Sequence, residues 1–259
     1  MFTKQRIAII LALSAGMFST EAFAGQWDGV FVGLNAGAAR SSTKYQTGPD
    51  DSLWFKNAQQ TAGMWAHGDQ DEFRYSPIGG LSLAYNHQID SFVLGAELGL
   101  NAIDAKLDHE GTYKYTATNS FYNPYNYTYR QKTSVKGLYT LRERAGYAFG
   151  DSLLSVTGGL AATSLTTGVG FHDYADDSSP FSASHTETKR KIGWTAGLAY
   201  QHMLPDDFVL KTEFAYVDLG KASFSTPITR DSDGLNEGQM NFSSRARLNV
   251  LTIGLEKKF

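Results

Sequence analysis

The chain has 259 residues, a formal net charge of −3, 42% hydrophobic residues and no cysteine. Disulfide stapling is therefore excluded, no basic block suits a nucleic-acid partner, and no apolar run after the N-terminal leader reaches the ~20 residues of a membrane-spanning helix. Glycine (26), phenylalanine (16) and tyrosine (14) are plentiful, a composition compatible with a membrane β-barrel, in which only alternate strand residues face lipid.

Residues 1–24 read as a cleaved secretory signal peptide. Lys4 and Arg6 give a positive start, residues 7–13 form an apolar run, and Ala22-Phe23-Ala24 fits the small-x-small cleavage rule. The run is too short to span a bilayer as a helix. Residues 25–259 are expected to form one exported domain.

From there the hydrophobic period is two rather than 3.6, the repeat of strands. Val30, Val32, Leu34, Ala36 and Ala38 share one face, opposite Phe31, Gly33, Asn35 and Gly37. Leu81, Leu83 and Tyr85 come next, then Phe92, Leu94, Ala96, Leu98 and Leu100 opposite Glu97. Tyr139, Leu141, Ala145 and Tyr147 oppose Arg142 and Arg144, and Leu154, Val156, Leu160 and Ala162 continue the alternation. Trp194, Ala196, Leu198 and Tyr200 precede Leu210, Phe214 and Tyr216, which oppose Lys211 and Glu213. The eighth segment carries Leu251, Ile253, Leu255 and Lys257 on one face and ends on Phe259.

Tight connections at 88–91, 149–152 and 204–207 are rich in the turn formers Asp, Gly, Pro and Ser. They alternate with long polar stretches near 39–77, 104–134, 166–189 and 220–246. This pattern predicts an all-β chain: an eight-stranded antiparallel transmembrane up-and-down β-barrel with short periplasmic turns and long extracellular loops. A soluble barrel of lipocalin type is the alternative, but it wants its apolar face within and has no need of a terminal aromatic. Phe259 is read as a C-terminal assembly signal on a closing strand that pairs with the strand beginning near Trp27.

The inward face collects Glu97, Arg142, Arg144, Lys211 and Glu213. An eight-stranded barrel is only wide enough for side chains to fill it, so these charges must pair. They predict a salt-bridge plug, with a gated narrow ion path as the alternative.

Several blocks carry a family resemblance. Trp27-Asp-Gly-Val-Phe-Val-Gly-Leu-Asn-Ala-Gly37 is similar to an opening W-x-G-x-Y-x-G-x-N-x-G strand. Gly80-Leu-Ser-Leu-Ala-Tyr-Asn86, Arg142-Glu-Arg-Ala-Gly-Tyr-Ala-Phe149 and Leu210-Lys-Thr-Glu-Phe-Ala-Tyr-Val-Asp-Leu-Gly220 follow in order. Together they resemble the outer-membrane immunogenic proteins, small porin-family surface barrels of Gram-negative bacteria related to the OmpA transmembrane domain. The resemblance covers nearly the whole mature chain. Two residues depart from it: Lys257 stands where an aromatic or apolar residue is usual, and Glu143 falls on the outward face.

The resemblance implies the bacterial outer membrane. It implies contact with outer-membrane lipid and lipopolysaccharide, and handling by periplasmic chaperones and the barrel assembly machinery. The tyrosine-rich stretch 113–129 reads as an adhesive loop for a host surface ligand. His67, His109, His172 and His185 raise haemin capture, although no pair has metal-ligand spacing. Asp173, Asp176, Asp177 and the acidic run 231–237 would meet divalent ions, or are simply solvated. No nucleophile elbow or paired-carboxylate motif is present, so no enzyme, cofactor or metal is expected. The expected function is a non-enzymatic surface barrel with a plugged or narrow lumen; the alternative is a haemin-binding or small-solute porin-like barrel.

Overall fold

In the computed structural model, residues 25–50, 58–115, 126–173 and 180–259 are described. Residues 1–24, expected to be a signal peptide, lie outside them. Eight antiparallel strands close into a barrel in chain order: β1 (Gly29–Pro49), β2 (Gln70–Ile89), β3 (Phe92–Lys114), β4 (Asn126–Phe149), β5 (Ser152–Asp173), β6 (Phe181–Met203), β7 (Phe208–Arg230) and β8 (Asn236–Lys258). One helix, α1 (Ala58–Gly68), sits between β1 and β2. The closure is β1 on β8, with Leu34 opposite Leu255 and Ala38 opposite Leu251. Phe259 extends that ladder by exchanging backbone hydrogen bonds with Val30, 2.8 Å from its N–H and 3.3 Å to its carbonyl.

The tight turns stand where the sequence puts them. Asp90, Gly150, Asp206 and Asp207 have φ between 53° and 59°, a left-handed conformation that glycine adopts freely and aspartate tolerates better than most residues. The long polar stretches differ from expectation: they are mostly strand. Strands of 20–24 residues are about twice the 9–11 needed to cross a membrane, so the outer half of each strand stands clear of lipid. Alternation persists there between buried and polar residues, and apolar patterning alone does not reveal it.

The outer half is also less round than the membrane half. Pairing of β2 with β3 stops at Ile78↔Ile103, and the β6–β7 ladder is interrupted between Trp194↔Asp218 and Ser182↔Thr229. Between these breaks the barrel wall separates into two four-stranded sheets, β7-β8-β1-β2 and β3-β4-β5-β6. Side chains stitch the seams. Arg74 donates to the Lys106 carbonyl at 3.2 Å and Tyr45 to the Leu107 carbonyl at 2.7 Å across one, and Lys191 Nζ donates to the Lys221 carbonyl at 2.8 Å across the other.

The lipid-facing belt is the exposed apolar row expected of a membrane barrel, including Leu34, Leu94, Leu141, Val156, Leu198 and Leu251. Aromatic residues edge it on both sides, with Tyr85, Tyr147, Tyr200 and Phe208 toward the turns and Tyr75, Tyr139 and Trp194 outward. Lys257 belongs to this outward row at its periplasmic end. Its ammonium snorkels over the Phe208 ring, 4.9 Å from the centroid, and donates to the Asp206 carbonyl. Glu143 also faces outward, midway between Tyr139 and Tyr147, while Arg142 and Arg144 are buried inside. Its cross-strand neighbours are the small Ala96 and Gly158. A mid-bilayer carboxylate costs less than the ~2–4 kcal/mol of a cation there. Replacing Glu143 by Leu is expected to raise unfolding stability by about 1 kcal/mol in zwitterionic vesicles; a urea midpoint that falls would show that the carboxylate is stabilising where it stands.

Candidate functional site in the barrel lumen

Alternation sends every second side chain into the barrel, and ascending β7 shows how the interior is layered. Val209 belongs to an apolar floor with Trp27, Phe31, Ala84, Val93 and Leu153. Lys211 and Glu213 come next, then Ala215 and Val217 in a second apolar layer with Ile78, Leu138, Leu165 and Leu248. Ile228 lies in a third layer built largely from aromatic residues, between the two outer sheets.

The charged layer brings all five predicted lumen residues together. Glu97 accepts from Arg142, from Arg144 and from Lys211 Nζ, the last at 2.6 Å. Glu213 is bridged by both guanidinium nitrogens of Arg142 and by Lys211 Nζ at 3.0 Å. A sixth member joins them: Glu256 lies 3.5 Å from Lys211 Nζ and accepts from Gln201 Nε2 at 2.7 Å. Gln201 in turn accepts from Arg144 Nη1 at 3.1 Å, which closes the network into a connected set. Three carboxylates thus meet three cations, and the layer is neutral. Neutrality matters because an uncompensated charge in this closed interior would not recover its desolvation cost. The five residues read from sequence carry a net positive charge, which is itself the signal for a missing anion. Glu256 alternates with the outward Leu255 and Lys257, so parity places it inside.

Above this layer lies a cavity of about 50 Å³, lined by Glu97, Arg142, Thr140, Thr195, Lys211 and Glu213 among others. That is room for a few water molecules, and the apolar layers lie above and below.

The outer-half predictions fare differently. Tyr115, Tyr127 and Tyr129 are buried in the aromatic layer, packed with Phe171, Phe181, Tyr45 and Met64. They are the core of the outer sandwich rather than an adhesive surface, and desolvation raises their phenol pKa values above the ordinary one. Residues 116–125 of that stretch lie outside the described residues. His67 stacks on Tyr113 at 4.5 Å and bonds the Tyr127 hydroxyl at 2.6 Å. His109 contacts Glu72 at 2.7 Å and the Tyr113 hydroxyl at 3.1 Å. His172 meets Ser182 at 2.9 Å, and His185 packs on Phe224 at 4.7 Å. His67 and His109 share Tyr113 while His172 and His185 stand elsewhere, and among the described residues no group of three or more His, Asp, Glu or Cys is arranged to hold a metal. Asp173 is buried, while Asp176 and Asp177 fall outside the described residues. The acidic run after Arg230 folds back on it, with Asp233 at 3.1 Å and Glu237 at 2.5 Å.

Over residues 10–259 the chain matches the family described as outer membrane protein beta-barrel domain. The chain belongs to this family. Its relatives include the 31 kDa outer-membrane immunogenic protein of Brucella melitensis biotype 1, which is 29% identical over 97% of this chain and 99% of that protein. The 25 kDa outer-membrane immunogenic protein of Brucella abortus biovar 1 is 23% identical over 78% and 68% of the two chains. Among solved structures, the outer membrane protein OprG of Pseudomonas aeruginosa aligns with a TM-score of 0.47 at 13% identity, covering 91% of this chain and 99% of that one. Membership places the protein in the bacterial outer membrane. The aromatic-edged belt is therefore the lipid boundary, and the two-sheet half projects from the cell.

Proposed function

We propose that this protein is a non-conducting, non-enzymatic outer-membrane barrel serving envelope structure, with surface interaction carried by its projecting half. The stacked lumen carries the reading. A neutral ionic layer is held between an apolar floor at Trp27, Phe31 and Val93 and an apolar layer at Ile78, Val217 and Leu248. An ion crossing this interior would shed its hydration twice against hydrocarbon, and opening the middle alone leaves both apolar layers shut. The projecting sandwich has its own aromatic core, so it is built as a rigid surface for recognition rather than a set of loose loops.

Planar-bilayer recording on purified, refolded protein tests this. No discrete conductance steps are expected across ±100 mV in symmetrical molar salt. Reproducible unitary steps, lost on boiling, would overturn the plugged reading and favour the porin-like alternative.

A further inference from the structure

Two faces of the projecting half handle charge in opposite ways. On the β3–β4 face, outward residues alternate in sign across the ladder: Asp104 is opposite Lys136, Asp108 opposite Lys132, and Glu110 opposite Arg130. This is the arrangement that stabilises paired strands. On the other side, Lys44 of β1 is opposite Arg245 of β8, and Arg245 is opposite Lys221 of β7. All three are exposed, so three cations stand in one row on adjacent strands with Cβ atoms about 5 Å apart. Like charges directly opposite destabilise a ladder. Lys191 brings a further ammonium to the Lys221 carbonyl, and Arg247 flanks the row from below.

The acids within reach do not balance these cations. Asp218 serves both Arg245, at 2.7 Å, and Arg247, at 3.5 Å. Lys44 meets Asp69 at 3.4 Å and faces Asp71 across the β1–β2 ladder, so Asp218, Asp69 and Asp71 stand against five cations. The row's depth in the membrane indicates the missing anion. Arg247, Asp218 and Trp194 share one cross-strand line, and the Trp194 ring packs with Tyr216 at 5.3 Å at the edge of the lipid belt. The cationic row is the next line outward, at headgroup level of the outer leaflet.

We propose that the row Lys44–Arg245–Lys221, with Lys191 and Arg247, is a binding site for the phosphoryl groups of the outer-leaflet glycolipid, lipopolysaccharide. Phosphate oxygens would accept charge-assisted hydrogen bonds from ammonium and guanidinium groups together, and would turn a repulsive row into a bridged one. The proposal rests on the outward edge of the belt lying at the outer leaflet, but not on the plugged lumen; the conductance experiment and the one below fail independently.

The test is equilibrium binding of fluorescent bisphosphoryl lipid A to the refolded barrel in neutral-detergent micelles. Folding is verified by the electrophoretic shift between boiled and unboiled samples. Lys221→Gln with Arg245→Gln is expected to weaken binding at least tenfold. Lys132→Gln with Lys136→Gln, an equal charge change on the β4 face, is expected to alter it less than twofold. Phosphate-free lipid A should bind wild type and row variant alike. Because Arg245 also holds Asp218, Lys221→Glu supplies a second variant that leaves that contact intact. It should weaken lipid A binding while raising the melting temperature of lipid-free protein, since Glu would pair with Arg245. Row variants that bind as wild type does, or an equal loss in the β4 control, would overturn the site.

Discussion

Glu97→Gln is expected to destabilise the folded barrel by about 3–5 kcal/mol, the usual cost of breaking a buried ion pair from one side. The substitution is nearly isosteric, so lost volume does not explain the effect. Charge does. Glu97 is the shared acceptor of Arg142, Arg144 and Lys211, and without it three cations face only Glu213 and Glu256 in a closed interior. Arg144→Ala should act in the same direction, since it leaves Gln201 and Glu97 each short of a donor. Adding Lys211→Met to Glu97→Gln restores neutrality and should recover part of the loss, a non-additivity expected of contacting residues. The measurements are the urea midpoint in vesicles and the temperature at which the fast-migrating unboiled form disappears. If Glu97→Gln and Arg144→Ala both unfold as wild type does, the ionic layer is not holding the barrel together.

Much of this layer was legible because strand parity is a strict rule. Once Leu94, Ala96 and Leu98 face lipid, Glu97 has to face inward, and Arg142 and Arg144 follow from Leu141 and Ala145. The same rule held against Glu143, where an outward carboxylate invited a register shift that would have put two arginines into lipid. Glu256 is harder to read by the same rule, because the polar Lys257 and Lys258 beside it blur the contrast that marks an inward charge.

The outer half was harder to read for a physical reason. In lipid, the outward residue must be apolar, so alternation shows as hydropathy. In water, both Lys132 and Thr133 are polar, yet Thr133 is buried and Lys132 exposed. Strand continuation there is written in paired charges such as Asp108 and Lys132, which only a known register brings together. Tyr115, Tyr127 and Tyr129 are ambiguous in sequence for a related reason: a second core outside the membrane needs large amphipathic side chains, the same residues a binding surface uses.

Gly159→Ala is expected to cost about 2–3 kcal/mol, the upper part of the range for forcing volume into a packed site, while Gly158→Ala beside it costs almost nothing. The two glycines differ only in the face they present. A Cβ on Gly159 would lie 2.1 Å from the Leu141 carbonyl oxygen and 2.7 Å from Arg142 Cα, both backbone atoms that cannot rotate away. On Gly158 the nearest atom would be 3.9 Å off. Equivalent inward glycines stand at three other strand pairs. Gly37 meets the Leu251 carbonyl at 2.0 Å, Gly80 the Leu100 carbonyl at 2.1 Å, and Gly193 the Asp218 carbonyl at 2.0 Å. These four positions fall at β4–β5, β1–β8, β2–β3 and β6–β7, alternate seams around the ring. They act as corners, where strands coil too sharply for an inward side chain, as small closed barrels require. Gly80 lies just below the last β2–β3 pair and Gly193 just beyond the last β6–β7 pair, so they mark where the round membrane barrel begins to flatten into two sheets. Matched urea unfolding of Gly158→Ala and Gly159→Ala decides the matter. Equal losses at the two neighbours would mean that backbone freedom, and not the tight corner, is what glycine supplies here.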